Sequence, residues 1–298
     1  MPHFDAPADD RLARFDTHRP LLFSIAYRML GTSADAEDVL QDAYLRWQRA
    51  DLTAVRSAKD FLSATVTRLA IDHLRSARVR REVYVGPWLP EPLVGVDDRD
   101  PLATASMAES LSTAFLVLLE RLTPAQRAAF LLREVFDFEY PEIARILDIS
   151  QANARQLVQR GKQHIAKGRP RFRSNAKVAN DLAHQFLAAC TTGDTGTVLS
   201  LLAKDAVAYA DGGGKFAAAR HPVSGADRVA RFVVSVVAKW HSGGSVTLSP
   251  VNGGPGLLFH TGGRLRAVMT VARSRGKHLD RVFLVMNPDK LGATTPTL

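Results

Sequence analysis

Apolar residues recur at three- and four-residue spacing through much of the first 170 positions, which predicts helices with one buried face. Leu21, Leu22, Ile25, Ala26 and Met29 mark the first, Gly31 stops it, and Ser33 can cap the next. Over residues 34–49, Ala36, Val39, Leu40, Ala43 and Trp47 share one face, while Asp35, Glu37, Asp38, Asp42 and Arg46 lie elsewhere. A third helix is expected from about Asp60 to Arg81, burying Leu62, Val66, Leu69, Ala70 and Leu74. Periodicity then disappears between Val83 and Pro101, where Pro87, Pro90, Pro92 and Pro101 break any helix. This reads as a linker, but Trp88 and Leu89 suit a solvated tether badly and are expected to dock. Helical spacing returns from Ala105 to about Lys167.

The pattern changes again after residue 175. Helices are expected at Val178–Ala189, Thr195–Leu202 and Ala226–Trp240, among strand-like runs VAYA, VTLSPV, GLLFHT, LRAVMTV and RVFLVM separated by Gly-rich turns. Helices with a meandering, mostly antiparallel sheet make an α+β domain. The expected organisation is therefore multidomain: two all-α blocks at 9–82 and 106–170, a linker at 83–105, and an α+β domain at 176–291.

The most informative segment is YPEIARILDISQANARQLVQRGKQHI, residues 140–165. Pro141 suits a first helical turn, and Asp148 falls where the chain must turn sharply, a place usually given to Gly. Ser150 can cap a second helix, anchored by Ala154, Leu157 and Val158, and the whole is a helix-turn-helix pattern. Its outward positions, Gln151, Asn153, Arg155, Gln156, Gln159 and Arg160, carry side chains able to contact base edges, and none is acidic. From Arg145 to Arg173 there are eight Lys or Arg against one acid, Asp148. The competing reading is a plain helical hairpin with a solvated basic face.

Composition narrows the choice. With 39 Lys and Arg against 30 Asp and Glu, the net charge of +9 suits a polyanionic partner. Cys190 is the single cysteine, which excludes an intramolecular disulfide and a multi-cysteine zinc site. The start, MPHFDAPADDRLARF, lacks the apolar run of a signal peptide, and no stretch reaches the roughly 18 apolar residues of a membrane span, so a cytoplasmic protein without membrane partner is expected.

Helical block, linker and helical block with a terminal helix-turn-helix together resemble the extracytoplasmic-function sigma factors of the sigma-70 class. MLGTSADAEDVLQDAYLRW, residues 29–47, is similar to their region 2.2. FLSATVTRLAIDHLRSAR, residues 61–78, is similar to their −10 recognition segment, and LERLTPAQRAAFLLREVFDFEYPEIARIL to their region 4. The resemblance implies that Asp35, Glu37, Asp38, Asp42 and Trp47 bind core RNA polymerase at the β′ clamp helices, with the β flap as a further contact. It implies −10 promoter DNA for Arg68, Asp72, Arg75 and Arg78, and −35 DNA for the outward residues of the helix-turn-helix. Arg68, Asp72 and Arg75 also share one helix stripe, where two salt bridges through Asp72 are the plainer reading.

WLPEP at 88–92, DGGGK at 211–215 and NPDKL at 287–291 resemble the group of these factors with a SnoaL-like C-terminal extension, a cone of helices on a curved sheet. That group implies regulation in cis, no separate anti-sigma factor, and a cavity able to take a small molecule. Trp88, Leu89, Glu91, Asp211, Lys215, Asn287, Asp289 and Lys290 are the expected regulatory contacts between linker and third domain, with Glu91 a candidate partner for either lysine. Tyr209, Asp211, His221 and His260 are the residues a catalytic reading would need, but nothing in the sequence pairs them, and neither cofactor, metal nor enzymatic activity is expected. DGGGK is no phosphate loop, because Phe216 follows Lys215 where Ser or Thr should stand. The alternative function is a SnoaL-like enzyme or ligand sensor fused to a DNA-binding module that acts without polymerase.

Overall fold

A computed structural model describes residues 8–81, 84–95, 110–168, 176–273 and 277–292, with side chains except those of 8, 9, 77–81, 167, 168 and 176. The chain divides into two compact units, one of residues up to 80 with 119–164, the other of 81–118 with 165–297.

The first unit is helical. Its leading block is α1 (Ala8–Leu30), α2 (Ser33–Gln48) and α3 (Ala58–Arg81). The apolar stripes read from spacing are the ones buried: Leu22, Ile25 and Met29 of α1, Ala36, Leu40 and Trp47 of α2, and Leu62, Val66 and Ala70 of α3. The cap of α2 is Thr32 rather than Ser33. The Thr32 hydroxyl accepts from the Asp35 N–H, while Ser33 is itself helical and buried, because the chain enters the helix one residue sooner.

A short helix, α4 (Thr113–Leu119), leads to α5 (Pro124–Glu134), α6 (Tyr140–Leu147) and α7 (Gln151–Gly168). Thr123 and Gln126 close a reciprocal capping box at the start of α5. The second block encloses its own core of Ala129, Leu132, Phe138, Ile143, Ala144, Ile146, Ala154 and Val158.

The second unit holds the third domain: α8 (Ala176–Thr192), α9 (Thr195–Leu201), β1 (Leu202–Asp211), β2 (Val223–Ser224), α10 (Ala226–His241), β3 (Ser245–Val251), β4 (Gly254–Thr261), β5 (Arg264–Ala272) and β6 (Leu279–Val285). The strands form one sheet in the order β2-β1-β6-β5-β4-β3. Neighbours run antiparallel except β1 and β6, which pair in parallel with Asp211 opposite Val285. The parallel pair departs from a simple meander, and it places the last of the six strands in the middle of the sheet.

Strand alternation gives each face of the sheet a separate core. One face carries Leu257, Phe259, Met269, Val282 and Leu284 against Phe186, Leu187, Val229 and Val233 of the helices. The opposite face carries Leu258, Val268, Phe283 and Val285, and is covered by Leu89 and Val94 of the supposed linker and by Ala114 and Val117 of α4. Residues 84–95 are thus a strap on the sheet rather than a tether. Its path is fixed by backbone pairing: Leu93 N–H donates to Asn252 Oδ1 at 2.9 Å, Asn252 N–H returns to the Leu93 carbonyl at 2.9 Å, and Gly95 N–H reaches the Pro250 carbonyl at 3.0 Å.

Candidate functional site

The turn between α6 and α7 is built as its sequence requires. Asp148 ends α6 in the left-handed region (φ 54°, ψ 53°), which a short polar side chain tolerates. Ile149 N–H then closes onto the Ala144 carbonyl at 3.0 Å, and the Ser150 hydroxyl accepts from the Asn153 N–H at 3.2 Å. Ala154 and Val158 turn inward, leaving Gln151, Asn153, Arg155, Gln156, Gln159 and Arg160 all exposed on one helix. The Arg155 guanidinium lies over the Tyr140 ring, 5.2 Å from its centroid, while the residue as a whole stays exposed. Lys162 is bridged to Glu134 at 2.8 Å.

On α2 the acids differ in their commitments. Glu37 pairs with Arg19 at 2.6 Å, and Asp35 takes Thr32 Oγ1 at 2.5 Å and His73 Nε2 at 3.2 Å, whereas Asp38 and Asp42 are exposed. Trp47 requires a correction. Its side chain is 0% exposed, its indole N–H donates to the Arg11 carbonyl at 2.9 Å and its ring meets Phe61, so it holds the block together and offers nothing to a partner. Asp72 pairs with Arg75 at 3.2 Å, but Arg68 does not join them. Its Nε instead donates to the Ile146 carbonyl at 2.8 Å and its second nitrogen to the Arg145 carbonyl at 2.9 Å. The Arg78 side chain lies outside the described residues.

Around Asp211 the three short motifs converge. The carboxylate is 0% exposed and receives four donors: Tyr84 hydroxyl at 2.5 Å, Leu89 N–H at 2.9 Å, Gly213 N–H at 3.0 Å and the Lys290 ammonium at 2.7 Å. Lys290 also donates to the Leu89 carbonyl at 2.5 Å and stands 4.3 Å from the Trp88 ring and 5.1 Å from Tyr84. Burial and the adjoining Asp211 carboxylate push the Tyr84 phenol well above its ordinary range. Asn287 donates to the Tyr84 oxygen at 3.0 Å, and Lys215 and Asp289 pair at 2.6 Å on the exposed rim. Glu91 is buried in the strap. Glycine is required at position 213, where φ is +60° and a Cβ would stand 2.4 Å from the Asn287 side chain.

Three of the residues a catalytic reading needs have other surroundings. Asp211 is committed to this hub, Tyr209 stacks on Phe283 at 5.7 Å, and His221 is exposed. A recess of about 320 Å³ opens beside the glycine loop, lined by Val85, Lys215, Phe216 and Arg220 among others.

Residues 14–80 match the sigma-70 region 2 family and residues 112–165 the sigma-70 region 4 family. The ECF RNA polymerase sigma factor SigJ of Mycobacterium tuberculosis is 41% identical over 246 residues, 81% of this chain and 78% of that protein. The chain belongs to the extracytoplasmic-function (ECF) sigma factors of the sigma-70 family. Consistent with that, the probable ECF RNA polymerase sigma factor SigI of the same species is 29% identical over 282 residues, 94% of each chain. The crystal structure of M. tuberculosis SigJ matches with a TM-score of 0.75 at 36% identity, covering 95% of this chain and 99% of that one. These relatives are sigma factors and lend no support to an enzyme or sensor acting without polymerase. Among the described residues, no helix is long and apolar enough to cross a membrane.

Sequence reasoning for this ECF factor missed Tyr84, Asn252 and Arg68's partners. Tyr84 could have been found by the reasoning used for Trp88, since an aromatic residue on a tether needs a dock. Asn252 sits in the NGG turn at φ 51° with 2% exposure, and its amide also donates to the Leu111 carbonyl at 3.0 Å. Nothing in the sequence ties Arg68 to two carbonyls 77 and 78 residues away.

Proposed function

We propose that this sigma factor binds core RNA polymerase through the exposed acids of α2, centred on Asp38 and Asp42, and reads −35 DNA with the outward face of α7. Arg68, Asp72 and Arg75 are assigned to the −10 element, and the protein performs no catalysis of its own. The observation carrying this reading is that all six candidate base-reading side chains of α7 are exposed on one acid-free helix behind a helix-turn-helix turn. The names of its relatives, RNA polymerase sigma factors, support the partner, and with it a place in the cytoplasm.

The third domain regulates in cis, with no separate anti-sigma factor. Its support is that the Asp211 hub grips Trp88 and Leu89 of the strap while the same sheet face seats Ala114 and Val117, at the start of the region 4 match. Through this grip the third domain sets the freedom of the segment joining the two DNA-reading blocks, and a small molecule in the adjoining recess would act on the same hub. Run-off transcription with core enzyme tests the reading, comparing the intact chain with one ending near residue 170. Specific transcripts with altered promoter output on truncation are expected; no transcript from any promoter with either protein would overturn it.

A further inference from the structure

The third domain carries most of the chain's positive charge, although neither helical block lies in it. Residues 176–291 hold fourteen Lys and Arg against seven Asp and Glu, which is seven of the chain's nine net charges. Residues 228–279 contain eight Lys or Arg and no acid. Six of the seven carboxylates are already committed: Asp211 to the hub, Asp194 to capping α9, and Asp181, Asp227, Asp280 and Asp289 each to a basic neighbour.

One end of the sheet gathers cations left without such partners. Strand β4 returns as β5 through Gly262 and Gly263, and Arg264 and Arg266 follow. They flank Leu265, which packs into the strap side of the sheet, so alternation turns both toward the helix side. The bulge between Phe259 and His260 leaves Arg266 without a residue opposite. On the helix side lies the end of α10, with Lys239, Trp240 and His241. The turn that follows abuts the hairpin closely: Ser245 pairs with His260, and a Cβ on Gly244 would stand 1.8 Å from the His260 carbonyl oxygen. Lys239, His241, Arg264 and Arg266 are exposed, and none has an ion pair among the described residues.

Aromatic rings stand among these charges. Trp240 tilts against the buried Phe259 at 6.0 Å, and Phe216 stacks on Trp240 at 5.8 Å with 19° between the planes. Phe216 is 40% exposed, so a ring supported from behind is open to solvent. Cations around a supported ring are the chemistry of single-strand binding, because bases in a duplex stack on one another whereas an unpaired base can lie on the ring. We propose that this end of the third domain binds single-stranded DNA, with Arg264, Arg266 and Lys239 on the phosphates and Phe216 under a base. Promoter DNA is the nucleic acid on which an ECF sigma factor acts, and this surface gives the chain a DNA contact outside both helical blocks.

Tryptophan fluorescence of the full chain, titrated with a short oligothymidylate, reads this surface. Trp47 is 0% exposed and Trp88 is held in the hub, so the quench belonging to the surface is the part that Trp240→Phe removes. Arg264→Gln combined with Arg266→Gln should weaken the midpoint of that quench about tenfold at about 50 mM salt and lower the salt slope by about 1.4. Phe216→Leu keeps the charge but loses the ring, and should weaken it about fivefold. Melting curves check that each variant is folded. Lys204→Gln combined with Arg228→Gln removes two exposed charges at the starts of β1 and α10, the far end of the sheet, and should shift the midpoint by less than about twofold. Absence of a Trp240-dependent quench overturns the proposal, as does equal weakening by both charge pairs, which would mean net charge alone. A duplex of the same length that competes as well as oligothymidylate overturns the single-strand assignment, and tighter binding of oligouridylate overturns the assignment to DNA.

Discussion

Lys290 and Asp211 form an ion pair at 2.7 Å with side-chain exposures of 6% and 0%, and the lysine lies over the Trp88 ring. Removing one member strands the other charge in the interior. Lys290→Met should therefore destabilise the third domain by about 3 to 5 kcal/mol in urea denaturation. The nearby Lys215–Asp289 pair is more than half exposed, and Lys215→Ala should cost under about 1 kcal/mol. Equal losses in the two variants would contradict the account of the hub.

If the hub is also the point of control, Trp88→Ala and Lys290→Met should change run-off transcription in the same direction. They touch each other, so their effects should fall short of additive when combined. Independent effects would mean that strap and C-terminal motif act separately.

Arg155→Ala should relax discrimination at one −35 position by about 1 to 3 kcal/mol while leaving binding to random DNA nearly unchanged. Lys162, bridged to Glu134, is a different case. Its replacement should weaken specific and random DNA alike and flatten the salt dependence, as measured by binding titrations at several ionic strengths.

Reversing the charge of Asp38 together with Asp42 should weaken assembly with core polymerase in a pull-down or binding titration. The melting curve should barely move, because exposed substitutions usually cost under about 0.5 kcal/mol. Reversal of Glu37 is less clean, since it also breaks the pair with Arg19.

Burial pushes the Cys190 thiol up from 9.0 to about 12, so at pH 8 the native protein should alkylate far more slowly than the urea-unfolded chain. The sign follows from the raised value: the folded state favours the neutral thiol. This contribution is fully present below the unfolded value near 9 and is lost as pH rises toward 12. Thiol labelling against pH, alongside melting curves, checks both parts.

The helical blocks were legible because long amphipathic stripes have one solution, and Leu22, Leu40 and Val66 are buried where their spacing put them. Strand runs such as GLLFHT were legible for the same reason, but their pairing was not. Whether β6 lies beside β1 or at an edge depends on tertiary contacts between residues some 75 positions apart. Trp47 was misassigned because an amphipathic residue at the end of an acidic helix fits surface or core equally well by pattern. The motifs around the hub were visible, yet spacing alone could not decide which carboxylate receives which lysine. The partners of Arg68 were hidden because they are backbone carbonyls, which every residue possesses and no composition reveals.

Strand β6 lies between β1 and β5 although it follows all the other strands in the chain. During synthesis the DNA-reading blocks leave the ribosome first, and β1 and β5 must wait with facing edges unpaired until residues 279–285 arrive. The NPDKL motif, which carries Lys290, follows immediately after. A nonsense or frameshift mutation between the codons for residues 272 and 279 would thus release a nascent product with both helical blocks but an unclosed sheet. In such a strain the expected phenotype is promoter activity that escapes control, together with a misfolded tail that draws proteolysis.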